Sequence, residues 1–409
     1  MIPKNFLWGA SIASHQVEGD NHNDWSEWEK QNADRLAQES KNKFGHLPNW
    51  PEIKNAAQDP KNYISSIATD HYNRFEEDFN IAQSLGLNAL RISIEWSRIE
   101  PQENVFDQKE IDHYKKVVAA LQKRNIEPFV TLWHFTNPLW FSKIGGWKSP
   151  KASFYFTRYV EKIVTALPEV KFWVTINEPE IYANDSFYKG VWPPQEKSFL
   201  SYLKVLKNLI RAHKKAYIAI KKISPTNNVG VAKNNAHFEP RSRSLIHKTL
   251  TASGKWWWNE RILRQINNFQ DFIGLNYYFH HIIRNPHHHD SHHQISDLGW
   301  GLHPEGIYHV LSELKEFKKP IYILENGLAD AKDEKRAWFI KETIKNLGLA
   351  IDNGCDVRGY FHWSLTDNFE WDKGFWPRFG LAEIDYKTLQ RKIRLSAFEY
   401  SKIIKQNGL

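Results

Sequence analysis

The chain has 409 residues, a length that allows one large domain or two to three ordinary ones. An apolar fraction of 41% and a charged fraction of 25% are typical of folded globular proteins, and because no apolar run is as long as a membrane-spanning helix, we expect no membrane partner. The formal net charge of +8 comes from lysines and arginines that are interleaved with 47 acidic residues rather than gathered in one basic run, so nucleic acid is not an expected partner either.

Aromatic residues are abundant and cysteine is nearly absent. Aromatic residues make up 14% of the chain, and 18 of them are tryptophans. A tryptophan-rich core would explain this excess, and so would a cleft whose flat apolar rings stack on the C–H faces of sugars; composition does not decide between the two. Cys355 is the single cysteine, so no intrachain disulfide can form. This fits a reducing compartment, and we expect a cytoplasmic location.

Short apolar runs alternate along the chain with helix-like patterns, which favours a parallel sheet built from βα units. The runs are mostly apolar on both faces, as expected for strands that are covered on both sides. Eight strands are predicted, at residues 7–12, 89–94, 128–132, 172–176, 228–232, 272–276, 321–324 and 359–363.

Eight such units predict an α/β protein with a closed (β/α)₈ TIM barrel. The doubly wound alternative would carry a glycine-rich phosphate turn after its first strand, and the sequence has none there. Because no linker or repeat interrupts the sequence, residues 1–409 are predicted to form a single domain.

The helices between the strands are marked by caps. Asp107 and Glu110 resemble the two ends of a capping box and predict a helix start. Ser149 and Pro150 predict a second start, a cap followed by a first-turn proline. Further helices are predicted from Pro304, from near Asp333 to just before Gly354, and from near Ser396 to Gly408.

One low-complexity segment, residues 286–293, contains five histidines. It could hold a transition metal, or it could be a solvated loop between the sixth strand and the next helix. Since the segment lacks an ordered framework of ligands, we favour the loop. The sequence therefore predicts neither a metal site nor a cofactor.

Two glutamates, Glu178 and Glu325, each close an apolar strand, and in a barrel of this kind the carboxyl ends of the strands carry the site. A single glutamate in such a place is as readily a salt-bridge partner or a helix cap, but two of them amid Asn, Tyr and Trp are harder to explain by structure alone. Glycoside hydrolysis needs such a pair, since one carboxyl protonates the leaving oxygen while the other attacks the anomeric carbon or activates water. The sequence does not give the separation that distinguishes retention from inversion.

Six motifs resemble those of glycoside hydrolase family 1 and follow one another in the family's order. They are SHQVEG at 14–19, RISIEWSRI at 91–99, TINEP at 175–179, GLNYY at 274–278, LENG at 324–327 and YFHWSLTDNFEW at 360–371. Each motif alone is weak evidence, but six in this order make a chance match negligible. The resemblance runs the length of the chain.

Family members are (β/α)₈ barrels that cleave β-linked sugars with retention of configuration, and the resemblance implies the same here. It makes Glu178 the catalytic acid/base and Glu325 the nucleophile. Arg91, Tyr278 and Asn276 would support the nucleophile and the transition state. The residues that would bind the cleaved sugar are Gln16, His134, Asn177, Glu370 and Trp371, with Trp363 as a stacking platform.

Simpler interpretations remain open for three of these residues. His134 could be a core histidine whose ring nitrogens have protein partners, Arg91 could anchor the second strand, and Trp363 could serve packing alone.

The expected substrate is a small oligosaccharide or an aryl or alkyl β-glycoside, with a β-glucoside favoured over a β-galactoside or β-fucoside. Glu370 and Trp371 resemble the pattern for unphosphorylated sugars. The alternatives are a non-catalytic carbohydrate-binding protein on the same fold and a transglycosidase.

Two departures from the family pattern stand out. Residues 135–138 read FTNP, where the family usually has a segment of the type WDLP, so an aromatic ring is kept but its indole donor is lost. The connection at 233–271 is markedly shorter than usual, which predicts an abbreviated or irregular fifth helix and a mobile or open side of the barrel. Trp256, Trp257 and Trp258 lie in this connection. They could pack against the barrel wall or form a sugar-binding rim, and we favour packing.

Overall fold

Twelve strands are present in the described part of the chain, which is residues 2–283 and 294–409 of a computed structural model. Eight of them, all parallel, close into a barrel. In chain order the strands are β1 (Leu7–Ser11), β2 (Ala89–Ser93), β3 (Glu127–Thr131), β4 (Phe172–Asn177), β5 (Asn228–Asn234), β6 (His237–Pro240), β7 (Ile273–Asn276), β8 (His280–Ile283), β9 (Ile321–Asn326), β10 (Val357–Trp363), β11 (Ala382–Ile384) and β12 (Arg391–Ile393).

The barrel leaves out the parallel pair β6–β8 and the antiparallel pair β11–β12, and it closes where β10 pairs with β1. This confirms the predicted (β/α)₈ barrel. Each of the eight predicted strands is present, with its ends shifted by at most two residues.

Helices follow the barrel strands and cover the outside of the barrel. They are α1 (Ser14–Val17), α2 (Asp24–Phe44), α3 (Trp50–Ala57), α4 (His71–Ser84), α5 (Trp96–Ile99), α6 (Gln108–Lys123), α7 (Leu139–Lys143), α8 (Ala152–Ala166), α9 (Pro179–Ala183), α10 (Phe199–Ile223), α11 (Leu245–Lys255), α12 (Arg261–Ile266), α13 (Gly306–Leu314), α14 (Arg336–Asp352) and α15 (Leu395–Gln406).

Most helix starts lie close to their predicted places, with two differences. Asp107 caps α6 as predicted, but Glu110 does not complete the capping box, because its carboxylate accepts the Tyr72 hydroxyl at 3.0 Å. The start of α8 is at Ala152 rather than at Ser149, whose hydroxyl instead accepts a backbone N–H two residues on and closes a separate turn. The helices predicted near Pro304, Asp333 and Ser396 are α13, α14 and α15.

Large side chains fill the barrel below the carboxyl ends of its strands. Phe129 on β3 stacks on Phe172 on β4 with ring centroids 4.2 Å apart, and Tyr322 on β9 lies edge-on to Phe129. The next residues along β3 and β4, Val130 and Trp173, point outward into the core formed with the helices. The polar groups at the strand ends therefore lie above a packed floor.

The short connection between β5 and β7 is helical. It contains β6, then α11, a π-helical turn at Trp256–Glu260, and α12. The fifth helix is irregular, as predicted, because the π turn interrupts it. Ile262 and Leu263 on α12 are buried, so this side of the barrel is covered. The expected mobility of the connection stays a prediction.

Two further expectations concern features outside the barrel. The histidine-rich segment 286–293 lies outside the described residues. In the described ranges, every helix is too short or too polar to cross a membrane. The cytoplasmic location stays a prediction.

Candidate active site

The two glutamates lie at the carboxyl ends of two barrel strands and line one cavity of about 320 Å³. Glu178 directly follows β4, where a left-handed φ of 40° turns the chain into α9. Glu325 lies inside β9, one residue before its end. The two residues are 7% and 4% exposed, so both carboxyl groups face the cavity from a desolvated wall.

Glu325 is held by two charge-stabilising contacts. One of its oxygens accepts the Arg91 guanidinium, and the other accepts the Tyr278 hydroxyl at 3.0 Å. Arg91 is itself buried and fixed by a bond from Nε to the Thr131 hydroxyl at 2.9 Å. Burial raises the pKa of Glu325, while the charge of Arg91 and the hydrogen bonds oppose that rise. These contacts favour the ionised, oriented form of Glu325.

Glu178 has different surroundings. Its Oε1 accepts the side-chain amides of Asn234 at 2.9 Å and Asn276 at 2.8 Å, and neither partner carries a charge. Burial, together with the nearby charge of Glu325, raises the pKa of Glu178 to about 8. Glu178 is therefore protonated at neutral pH and can donate a proton.

A chain of amides connects the two glutamates. Asn276, which donates to Glu178, also donates to Asn177 Oδ1 at 3.2 Å, and the same oxygen accepts Arg91 Nη2 at 2.7 Å. A hydrogen bond from Asn276 also lowers the pKa of Glu325. Arg91 is thus more than a strand anchor, and it reaches the nucleophile candidate directly.

All the predicted sugar-binding residues line the same cavity: Gln16, His134, Asn177, Trp363, Glu370 and Trp371. Gln16 Oε1 and His134 Nδ1 are buried and lack a protein partner among the described residues. Burial and the charge of Arg91 hold the pKa of His134 well below its usual value, so the ring is neutral. Because buried polar atoms normally have partners, these two atoms are suited to bind a polar ligand.

Trp363 has apolar neighbours in this cavity, and Glu370 has a charged one, Lys373. Trp363 is 4% exposed and packs against Ala13 and Phe379, so packing and a stacking platform are both compatible with its place. Burial raises the pKa of Glu370 to about 8, and Lys373 opposes the rise.

Sequence analysis missed Asn234 and misjudged Trp258. The predicted fifth strand ended two residues before Asn234, yet β5 continues to it and places it beside Asn276 on β7. Trp258 lines the cavity, while Trp256 and Trp257 are 48% and 37% exposed. The preference for packing is therefore wrong for Trp258, which the π turn in this segment directs inward, whereas Trp257 stacks on Phe199 and lies beneath the Arg261 guanidinium.

Glycoside hydrolysis requires a pair of carboxyl groups such as this one, one stabilised as an anion and the other as an acid. The chain belongs to glycosyl hydrolase family 1, whose family model matches residues 1–263 and 258–409. It is a β-glycosidase.

Known proteins of the family resemble this chain along its whole length. The 1,4-β-D-glucan glucohydrolase of Thermotoga neapolitana is 31% identical, and the match covers 100% of this chain and 99% of that protein. The solved β-glycosidase from Pyrococcus horikoshii is 34% identical with a TM-score of 0.86, over 99% of this chain and 96% of that one. The β-glucosidase from Thermotoga maritima, solved in complex with glucoimidazole, is 29% identical with a TM-score of 0.85, over 100% and 99%.

Proposed function

We propose that residues 1–409 form one catalytic domain that hydrolyses terminal, unphosphorylated β-linked sugars with retention of configuration, and that β-glucosides are its preferred substrates. The observation that carries this proposal is the contrast between Glu325, held by Arg91 and Tyr278, and Glu178, held by neutral amides and protonated at neutral pH. The similar glucan glucohydrolase and β-glucosidase are both named for glucose substrates, which supports the preference for glucose.

The reaction proceeds as a double displacement. The Glu325 carboxylate attacks the anomeric carbon and forms a glycosyl ester, while Glu178 gives its proton to the leaving oxygen. Having given up its proton, Glu178 stays ionised, because the ester carries no charge and one cause of the raised pKa of Glu178 is gone. It then takes a proton from water, and the resulting hydroxide attacks the anomeric carbon, restores the Glu325 carboxylate and releases the sugar.

The sugar-binding residues of the cavity hold the glycone during both steps. Asn177, fixed by Arg91 and Asn276, faces the 2-hydroxyl, where a hydrogen bond strengthens in the transition state. Gln16 and His134 use their unpartnered atoms for other hydroxyls. Glu370 adds a carboxyl group that can exchange hydrogen bonds with sugar hydroxyls.

A panel of nitrophenyl β-glycosides tests the proposal, with glucose, galactose, fucose and 6-phosphoglucose as glycones and an α-glucoside as control. We expect fastest turnover of the β-glucoside and no turnover of the phosphorylated or α-linked sugar. NMR of the first-formed product should show the β-anomer. Release of the α-anomer would contradict retention, and binding without turnover would favour a carbohydrate-binding protein. Predominant transfer to an added sugar acceptor would favour a transglycosidase.

The pH dependence should report the proton on Glu178. We expect kcat/KM for a nitrophenyl β-glucoside to fall as the pH rises through about 8, because Glu178 is protonated below this pH and ionised above it. The measurement is a profile of kcat/KM between pH 5 and 10. These two pH values lie about two units or more from that pKa, so the profile covers both the protonated and the ionised form of Glu178.

Glu370 has a pKa raised to the same value, so the profile needs a control. A dinitrophenyl glucoside has a leaving group that needs no protonation. For this substrate, kcat/KM should not decrease when Glu178 ionises. An identical decrease of kcat/KM at high pH for both substrates would assign that decrease to ionisation of Glu370 instead.

Trp258 should affect the leaving-group side of the substrate. We expect Trp258→Ala to raise KM for aryl β-glucosides by about 2- to 10-fold, the value of one aromatic contact, with little change for a methyl glucoside. Trp256→Ala is the matched control, because Trp256 is exposed and does not line the cavity. Equal effects of the two variants would show that the segment, rather than the Trp258 ring, matters.

A further inference from the structure

Three histidines from separate parts of the chain meet beside the catalytic cavity without lining it. His237 lies on β6, His280 lies opposite it on β8, and His303 lies in the segment before α13. One ring nitrogen from each residue lies within 4.8 Å of the others. The sequence gives no sign of this cluster, because the pairing of β6 with β8 creates it.

The distances within this cluster suit a bound metal ion. His237 Nδ1 and His303 Nε2 are 3.2 Å apart. Two imidazole nitrogens on one tetrahedral Zn²⁺ ion, each at 2.0–2.1 Å from it, are separated by about 3.3 Å. The His280 ring is nearly parallel to the His303 ring, with centroids 4.0 Å apart, so both side chains must turn for their nitrogens to meet at one ion.

Two carboxylates lie behind the histidine rings. His280 Nε2 is 3.1 Å from Glu239, and His303 Nδ1 is 3.6 Å from Glu305. A carboxylate on the second ring nitrogen orients a metal-binding histidine and makes it a stronger ligand. The other nitrogen of His303, Nε2, is the one that faces His237, as a ligand atom should.

We propose that His237, His280 and His303 bind one divalent transition-metal ion, with Zn²⁺ preferred, and that the ion ties the segment before α13 to the β6–β8 pair. Three imidazoles form a ligand set typical of zinc. The same segment carries Trp300, which lines the catalytic cavity and lies 5.0 Å from the Phe279 ring. Bound metal would therefore fix one wall of the cavity from outside it.

The test uses the full-length, untagged protein after dialysis against EDTA, with Zn²⁺ titrated by calorimetry and Co²⁺ followed by its visible absorption. Because the histidine-rich segment offers further imidazole groups, a background variant first replaces its histidines with asparagine. These are His287, His288, His289, His292 and His293. We expect this background variant to keep one tight Zn²⁺ site and the absorption of tetrahedral Co²⁺.

In this background, His237→Asn and His303→Asn should each weaken Zn²⁺ binding at least about tenfold and abolish the Co²⁺ spectrum. His309→Asn is the matched control: its ring stacks on His237 with centroids 4.5 Å apart, but it lies outside the group of three, so Zn²⁺ affinity should persist. Zn²⁺ should also raise the melting temperature of the background and control variants and leave that of the other two unchanged.

Two results would overturn the proposal. One is loss of tight Zn²⁺ binding in the background variant, which would assign the metal to the histidine-rich segment. The other is unchanged affinity in both His237→Asn and His303→Asn. Hydrolysis of nitrophenyl β-glucoside in EDTA checks that each variant is folded. If His237→Asn fails this check, His303→Asn decides the matter, because the His303 side chain is more exposed and its loss disturbs packing less.

Discussion

Glu325→Gly is expected to lower kcat for an aryl β-glucoside by about 10⁴- to 10⁶-fold, the scale seen when a catalytic nucleophile is removed. Without the carboxylate that Arg91 and Tyr278 hold, no glycosyl ester can form, and water has no activated path to the anomeric carbon. Steady-state release of nitrophenol measures the loss. Circular dichroism and binding of a sugar-shaped inhibitor show whether the variant is folded.

Azide should distinguish a missing nucleophile from a damaged site. The space left by the Glu325 side chain lets azide attack the anomeric carbon from the α face, so the expected product of the glycine variant is the α-glycosyl azide. Glu325→Gln is the matched control, since its amide fills that space and azide should restore little activity. A β-glycosyl azide from Glu325→Gly, or activity close to that of the unchanged protein, would contradict the assignment of Glu325.

The fold was largely predictable because its signal is local. Each barrel strand is a short apolar run, and residues such as Val130 and Phe129 show why both faces are apolar: one packs on helices and the other fills the barrel. Closure of the sheet followed from the number of units and from the absence of a phosphate turn. What local patterns did not give was the extent of β5, since Lys233 and Asn234 are polar yet buried in the strand.

Site residues were predictable where a reactive side chain ends a strand. They were less predictable where contacts between distant parts of the chain determine the role of a residue. Glu178 and Glu325 stand out from the sequence, but their different proton affinities come from partners on other strands, namely Arg91 on β2 and Asn276 on β7. Trp258 could not be told from its neighbouring tryptophans, because a π turn rather than a regular helix sets its direction. The three-histidine cluster likewise depends on strand pairing.

Glu178→Ala should give a loss of activity that depends on the leaving group. For an alkyl glucoside, whose leaving oxygen needs a proton, kcat/KM should fall by about 10²- to 10⁴-fold, the usual contribution of a general acid. For a dinitrophenyl glucoside, kcat/KM should change little, because formation of the glycosyl ester needs no proton. The second step still lacks its base, so kcat and KM should both fall and the ester on Glu325 should accumulate, which a burst of dinitrophenol and mass spectrometry of the intact protein detect.

Azide gives the opposite stereochemical result in this variant. It needs no base, so it should attack the Glu325 ester from the face that Glu178 vacated, raise kcat for the dinitrophenyl glucoside and yield the β-glycosyl azide. Asn234→Ala is the matched control, because it removes a hydrogen bond to Glu178 but keeps the carboxyl group. That variant should stay active on alkyl glucosides and form no azide adduct. Equal losses for alkyl and dinitrophenyl glucosides in Glu178→Ala would contradict the role of Glu178, since only a proton donor makes its effect depend on the basicity of the leaving oxygen.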